Sequence, residues 1–132
     1  MIVIKVAVAV ILNPQKSQIC LTQRQKHQHY AGLWEFPGGK CHNSETSAQA
    51  LQRELAEEIG IQATDYRHFE SVIFQQTDCQ INIDFYWVEQ YQGQTVAQEG
   101  QRLAWVPIDT LYDYPMPPAN REVLNKVVAL LT

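Results

Sequence analysis

The segment Arg53-Glu54-Leu55-Ala56-Glu57-Glu58-Ile59-Gly60 constrains this chain more than any other. On a helix of 3.6 residues per turn, Glu54, Glu57 and Glu58 stand at i, i+3 and i+4 and share one face. Ala48, Leu51, Leu55 and Ile59 make the neighbouring apolar stripe. Such a helix is expected to bury one side in a core and present carboxylates on the other. Arg53 precedes Glu57 by one turn, where it can pair with that residue and fix its orientation. Thr46-Ser47-Ala48-Gln49 matches a capping box, so the helix is predicted to start there, run to about Ile59 and end at Gly60.

Like charges this close repel, so the cluster needs a reason. Hard oxygen ligands suit Mg²⁺ or Mn²⁺, which are held by a few carboxylates together with substrate phosphates. The cation would offset the repulsion. Taken alone, the segment fits equally well with a solvated acidic face carrying an i, i+4 ion pair.

Composition narrows the partners. The 132 residues, 45% of them hydrophobic, suffice for one domain spanning 1–132 with its own core. Ten Lys and Arg against 14 Asp and Glu give a net charge of -4, which disfavours generic binding to nucleic acid polymers. An anionic substrate would therefore need a metal ion or a few placed cations. The apolar start, MIVIKVAVAVIL, is interrupted by Lys5 and ended by Asn13-Pro14, well short of the roughly 20 residues that span a bilayer. No small-residue cleavage site follows a basic leader, so neither a membrane span nor a secretory signal is expected. Cys20, Cys41 and Cys79 form no C-x-x-C pair and cannot all be paired within the chain, which points to a reducing cytoplasm. A monomer is compatible with all of this.

Along the chain, the first apolar run reads as a buried strand, and NPQKSQ turns it into a second strand around ICLTQR. GLWEFPGGKCHNSE reads as a loop broken by Pro37, Gly38 and Gly39. Strands are expected near HFESVIFQQ, INIDFYWVEQ and RLAWVP, the first two joined through Thr77 to Gln80. Val123, Leu124, Val127, Val128 and Leu131 recur at helical spacing in a final helix. The mixture implies an α/β fold with a mixed sheet packed between helices.

Gly39, Glu45, Arg53, Glu54, Leu55, Glu57, Glu58, Gly60 and Ile61 fit the pattern G-x5-E-x7-R-E-U-x-E-E-x-G-U, where U is a bulky aliphatic. This resembles the Nudix box without a mismatch. LWEFPGGK, QEGQ around Glu99, LAWVP and the late PPAN extend the resemblance to the MutT branch of the family over nearly the whole chain. The resemblance implies an α/β/α sandwich, a divalent metal and hydrolysis of nucleoside triphosphates to monophosphate and pyrophosphate. More specifically, it implies removal of 8-oxo-dGTP from the nucleotide pool.

The chemistry requires charge neutralisation, an in-line water and a base. By resemblance, Glu57 and Glu58 ligate the metal with the Gly39 carbonyl; Glu54 orients or deprotonates the water; Glu99 is a further ligand or the alternative base. Arg53 orients the carboxylates, and Glu45 serves the helix start. Arg24 and Lys40 are the phosphate-contacting candidates, against exposed cations as the plain alternative. Asn120 offers a donor and an acceptor to a purine edge, or caps the last helix. His29 and Phe36 are pocket-lining candidates, with Phe36 equally suited to the core. Trp34, Trp87 and Trp105 are expected to be packing residues.

Two positions depart from the branch. Asp84 interrupts an apolar strand, sharing a face with Asn82 and Tyr86, as either a partnered polar group or a reader of guanine N–H donors. Cys79 stands at a hairpin tip where the branch implies a basic residue. Other Nudix substrates, such as a nucleotide sugar, a dinucleotide or another triphosphate, form one competing reading. A nucleotide sensor without catalysis is another, and the intact Arg53, Glu54, Glu57 and Glu58 weigh against it.

Overall fold

The computed structural model describes residues 2–131. Strand β1 (Ile2–Ile11) is followed by β2 (Gln18–Gln23), β3 (Trp34–Glu35), β4 (Gly38–Lys40) and helix α1 (Ser47–Ile59). Then come β5 (Gln62–Gln75), β6 (Cys79–Gln92), β7 (Leu103–Pro107), a 3₁₀ turn (Ile108–Asp113) and helix α2 (Pro118–Leu131). The expected mixed sheet is present, in the order β4-β1-β6-β5, with β1 parallel to β6 and its other pairings antiparallel. A second sheet, β3-β2-β7, is wholly antiparallel.

From Ala7 to Ile11 strand β1 is buried on both faces, which is why that half reads as a continuous apolar run. Its alternation assigns the layers. Ala7, Ala9 and Ile11 meet Ala50, Leu51, Leu55 and Ile59 of α1, and the two small alanines give the helix room. Val8 and Val10 point the other way, into a core with Leu21, Phe36, Phe85, Val106, Leu111 and Val123, Leu124 and Val127 of α2. The mixed sheet therefore lies between the two helices, and the second sheet feeds both cores, Ile19, Leu21 and Val106 on the α2 side and Cys20, Leu103 and Trp105 on the α1 side.

The caps of α1 form as their residues predict. Thr46 accepts from the Gln49 amide, Gln49 answers to the Thr46 amide, and Gly60 closes the helix in the left-handed region at φ 74. Ala50 rather than Ala48 is fully buried in the stripe. Two segments differ from expectation. The stretch read as a loop contains β3 and β4, because Gly38 and Gly39 pair with Val8 and Ala7 of β1. Strand β5 begins at Gln62, directly after α1, and register shifts near Asp65 and between His68 and Glu70 let so polar a strand follow β6.

Candidate active site

A cavity of about 470 Å³ opens where the two sheets meet, with a floor of Val6, Val8, Ile81 and Ile83 and walls that include Arg24, Glu35, Gly39, Lys40, Glu54, Glu58, Glu99 and Asn120. Most residues singled out in the sequence converge here from distant parts of the chain.

Pairing of β4 with β1 creates the acidic wall. Gly38 lies against β1 so closely that a Cβ would fall 2.2 Å from the Ala7 carbonyl oxygen. Its amide is thereby aimed at Glu58, donating to Oε2 at 3.2 Å, while Thr22 Oγ1 on β2 donates to Oε1 at 3.1 Å. Glu58 is buried, so the alternative of a fully solvated acidic face is not what forms. Burial pushes its carboxyl up to about 8, the neighbouring Glu35 charge adds to the rise, the bonds from Gly38 and Thr22 oppose it, and Glu99 contributes further. Gly39 serves Glu54: a Cβ there would lie 2.4 Å from Glu54 Cδ, so only glycine lets this carboxylate rest on the strand.

Arg53 organises the other carboxylates. It holds Glu45 with two bonds, Nε to Oε2 at 2.7 Å and Nη2 to Oε1 at 2.9 Å. Its Nη1 reaches Glu54 at 2.8 Å and Glu57 at 3.2 Å, and Nη2 also donates to the Lys40 carbonyl at 2.9 Å. The Glu57 pairing was foreseen; the tighter grip on Glu45 was not. Thr46 caps the helix start and Glu45 lies just before it, held by Arg53; the bonds from Arg53 and the His42 amide pull its carboxyl down to about 2. Glu57 remains half exposed and does not line the cavity. Among the described residues, no three His, Cys, Asp or Glu side chains are gathered tightly enough to form a metal cluster. The oxygen-only set of Glu54, Glu58, Glu99 and the Gly39 backbone around one cavity nonetheless fits a hard divalent ion in donor chemistry.

Arg24 lies just past β2, where Nη1 pairs with Glu35 at 2.8 Å and Nε donates to the His29 carbonyl. Glu35 was missed by sequence reasoning. Its signal was a lone carboxylate between Trp34 and Phe36, a setting that buries a charge only with a partner. Burial raises its pKa, against the lowering influence of Arg24. His29 and Lys40 are exposed at the cavity wall. Phe36 is core, 2% exposed, edge-on to Phe85, though part of it reaches the cavity.

Asn120 is not a helix cap, because α2 already begins at Pro118. It is buried, and Oδ1 accepts from the Phe36 amide at 3.0 Å. Asp84 does not reach the cavity. Strand alternation puts Ile81 and Ile83 on the cavity floor and sends Asp84 to the opposite face, where it accepts from Ser71 Oγ at 2.8 Å and lies 3.5 Å from His68 Nε2. Cys79 opens β6 and donates weakly to Gln76 Oε1 at 3.4 Å. Trp34, Trp87 and Trp105 pack against the cores as expected.

Comparison with known proteins agrees with this geometry. The NUDIX domain model matches residues 7–126. The 8-oxo-dGTP diphosphatase of Haemophilus influenzae is 40% identical over 96% of this chain and 92% of its own length. The 8-oxo-dGTP diphosphatase of Escherichia coli is 36% identical, covering 96% and 98%, and a CTP pyrophosphohydrolase of the same organism is also 36% identical, covering 96% and 93%. A solved MutT structure, from work on Aliivibrio salmonicida and Vibrio cholerae, superposes with a TM-score of 0.87 at 38% identity, covering 97% of this chain and 98% of that one. Nudix hydrolases are in general dependent on a divalent metal, and among the described residues no helix is long and apolar enough to cross a membrane. The chain belongs to the Nudix family and is a Nudix hydrolase.

Proposed function

We propose that this enzyme hydrolyses nucleoside triphosphates to the monophosphate and pyrophosphate, with 8-oxo-dGTP as its preferred substrate, and so protects the nucleotide pool. The observation that carries this reading is the orientation of Asn120. Its Oδ1 is bound to the Phe36 amide, which fixes the side-chain amide in a cavity that also holds Glu54, Glu58 and Glu99. Held this way, Nδ2 donates to the O6 acceptor of a purine, and the second lone pair of Oδ1 accepts the N7 hydrogen that 8-oxoguanine has and guanine lacks.

Mg²⁺, or Mn²⁺ in its place, would be held by Glu54, Glu58, Glu99 and the Gly39 carbonyl, and Glu57, outside the cavity beside Arg53, would join them only on turning from that partner. When bound, the ion supplies charge neutralisation at the phosphates and a more acidic water. The remaining work falls to the chain's own groups. Glu54, steadied by Arg53 and by the bare Gly39 backbone, takes the proton of the attacking water. Arg24 and Lys40 contact the phosphates.

A pyrimidine triphosphate is the second reading, favoured by the CTP pyrophosphohydrolase whose identity to this chain equals that of an 8-oxo-dGTP diphosphatase. Nucleoside monophosphate formation from 8-oxo-dGTP, dGTP, CTP, the other common triphosphates and a nucleotide sugar separates the two, with Glu54→Gln as control. Turnover of 8-oxo-dGTP well above dGTP and CTP, lost in the variant, supports the first reading. Faster turnover of CTP overturns the substrate and keeps the chemistry.

A further inference from the structure

Glu99 lines the cavity from a stretch between β6 and β7 without helix or strand. The adjacent Gln98 backbone amide donates to the Glu58 carbonyl at 3.0 Å, and glutamine side chains hold the Glu99 backbone itself. Gln101 Oε1 accepts the Glu99 amide hydrogen at 3.0 Å, and Gln101 Nε2 donates to the Glu58 carbonyl at 3.0 Å. One side chain thus ties the backbone of one cavity carboxylate to that of another. From the opposite wall, Gln25 Nε2 donates to the Glu99 carbonyl at 2.8 Å. The approach of Gln25 is close enough that a Cβ on Gly100, which has a φ of +80, would stand 3.3 Å from Nε2. Gln25 is itself steadied by Gln28, whose Oε1 accepts the Gln25 amide hydrogen at 2.7 Å. Both peptide groups of Glu99 are therefore claimed by side-chain amides from two different parts of the fold.

Only an amide can bridge in this way. Glutamine donates and accepts at one end, whereas glutamate cannot donate to the Glu58 carbonyl and a shorter side chain cannot span both groups. We infer that Gln101 and Gln25, which also border the cavity, are positioning residues that fix the Glu99 carboxylate relative to Glu58 by acting through the Glu99 backbone. The inference rests on the proposed service of Glu99 to the metal-bound site.

The test is Mn²⁺ binding by the substrate-free protein, followed by electron paramagnetic resonance, in wild type, Glu99→Gln, Gln101→Ala, Gln25→Ala and the Glu99→Gln/Gln101→Ala double variant. Groups that orient metal ligands are worth on the order of tenfold in affinity. A loss of about that size is expected for Gln101→Ala, a smaller one for Gln25→Ala, and none beyond Glu99→Gln alone in the double variant. Gln101→Glu, which keeps the bond to the Glu99 amide, should not restore binding. Full Mn²⁺ affinity in both glutamine variants, beside a loss in Glu99→Gln, overturns the positioning role. Losses that multiply in the double variant overturn it too, because Gln101 would then act independently of Glu99. An unchanged Glu99→Gln instead overturns the assignment of Glu99 itself. Gln25 lies on an exposed loop, so its variant keeps the test decisive should Gln101→Ala fail to fold.

Discussion

Asn120 Oδ1 receives the Phe36 amide hydrogen at 3.0 Å across 84 positions of sequence, joining α2 to the strand pair that carries the acidic wall. One side chain thus has two duties, closing a buried donor and facing the cavity. Substitution can separate them. Asn120→Asp keeps an acceptor for Phe36 but loses the Nδ2 donor; stability should stay near wild type while KM for 8-oxo-dGTP rises about tenfold or more, as expected for a lost base contact of about 1–3 kcal/mol. Asn120→Ala also strands the Phe36 amide, adding about 1–3 kcal/mol of destabilisation. Urea denaturation and steady-state kinetics on both variants check this; equal stability losses would show that the Phe36 bond is not what the alanine removes.

The two glycines of β4 should fail in different ways. A Cβ on Gly38 meets the β1 backbone, which cannot yield, whereas on Gly39 it meets the Glu54 carboxylate, which can. Gly38→Ala is expected to lower the melting temperature markedly. Gly39→Ala should fold and lose kcat by roughly 10²-fold through displacement of Glu54. Thermal melts paired with turnover numbers decide the matter, and a Gly39→Ala enzyme of normal kcat would remove Glu54 from the proposed role.

Arg53 makes bonds that a lysine cannot copy, since its fork grips Glu45 twice while Nη1 spans Glu54 and Glu57. Arg53→Lys should therefore lower kcat by about 10²-fold with a smaller change in KM, because Glu54 is left unaimed. Kinetics at saturating metal would expose the opposite pattern, a KM effect alone, as evidence that Arg53 contacts substrate instead.

Glu58 gives the metal-free protein a pH dependence of definite sign. Its folded pKa, about 8, lies above the usual carboxylate range, so the native state binds the proton more tightly than the unfolded chain. That stability is fully present below the usual carboxylate range and is lost as pH rises through about 8. Glu35, raised by burial, acts in the same direction; Glu45, drawn down to about 2, acts oppositely and matters only as pH falls towards that value. In the presence of chelator, the denaturation midpoint should fall between about pH 5 and pH 9, and Glu58→Gln should flatten the fall. A wild-type midpoint constant over that range would mean that Glu58 titrates as an ordinary carboxylate.

Asp84 supplies a negative control. Its bonds to Ser71 and its proximity to His68 lie on the sheet face opposite the cavity. Asp84→Asn should leave the order of substrates in a triphosphate panel unchanged, and a changed preference would mean that this face communicates with the base.

By itself the sequence determined what depends on near neighbours. Helix α1, its capping box, its Gly60 stop and the shared face of Glu54, Glu57 and Glu58 follow from spacing within a few residues, and the carboxylate pattern from Gly39 to Ile61 pointed to the chemistry. Tertiary structure decided how those residues are used. Spacing places Glu57 and Glu58 side by side, yet only the packing of α1 against β2 and β4 sends Glu58 to Thr22 and Gly38 and leaves Glu57 outside with Arg53. Alternation along β6 shows that Asp84 and Ile83 face opposite ways, but only the assembled sheets reveal which face looks into the cavity. Asn120 reads as a purine contact or a cap, and only Phe36, distant in sequence, arrives to claim its oxygen. In each case the deciding partner is brought near by burial of the core, and no local pattern of residues encodes that proximity.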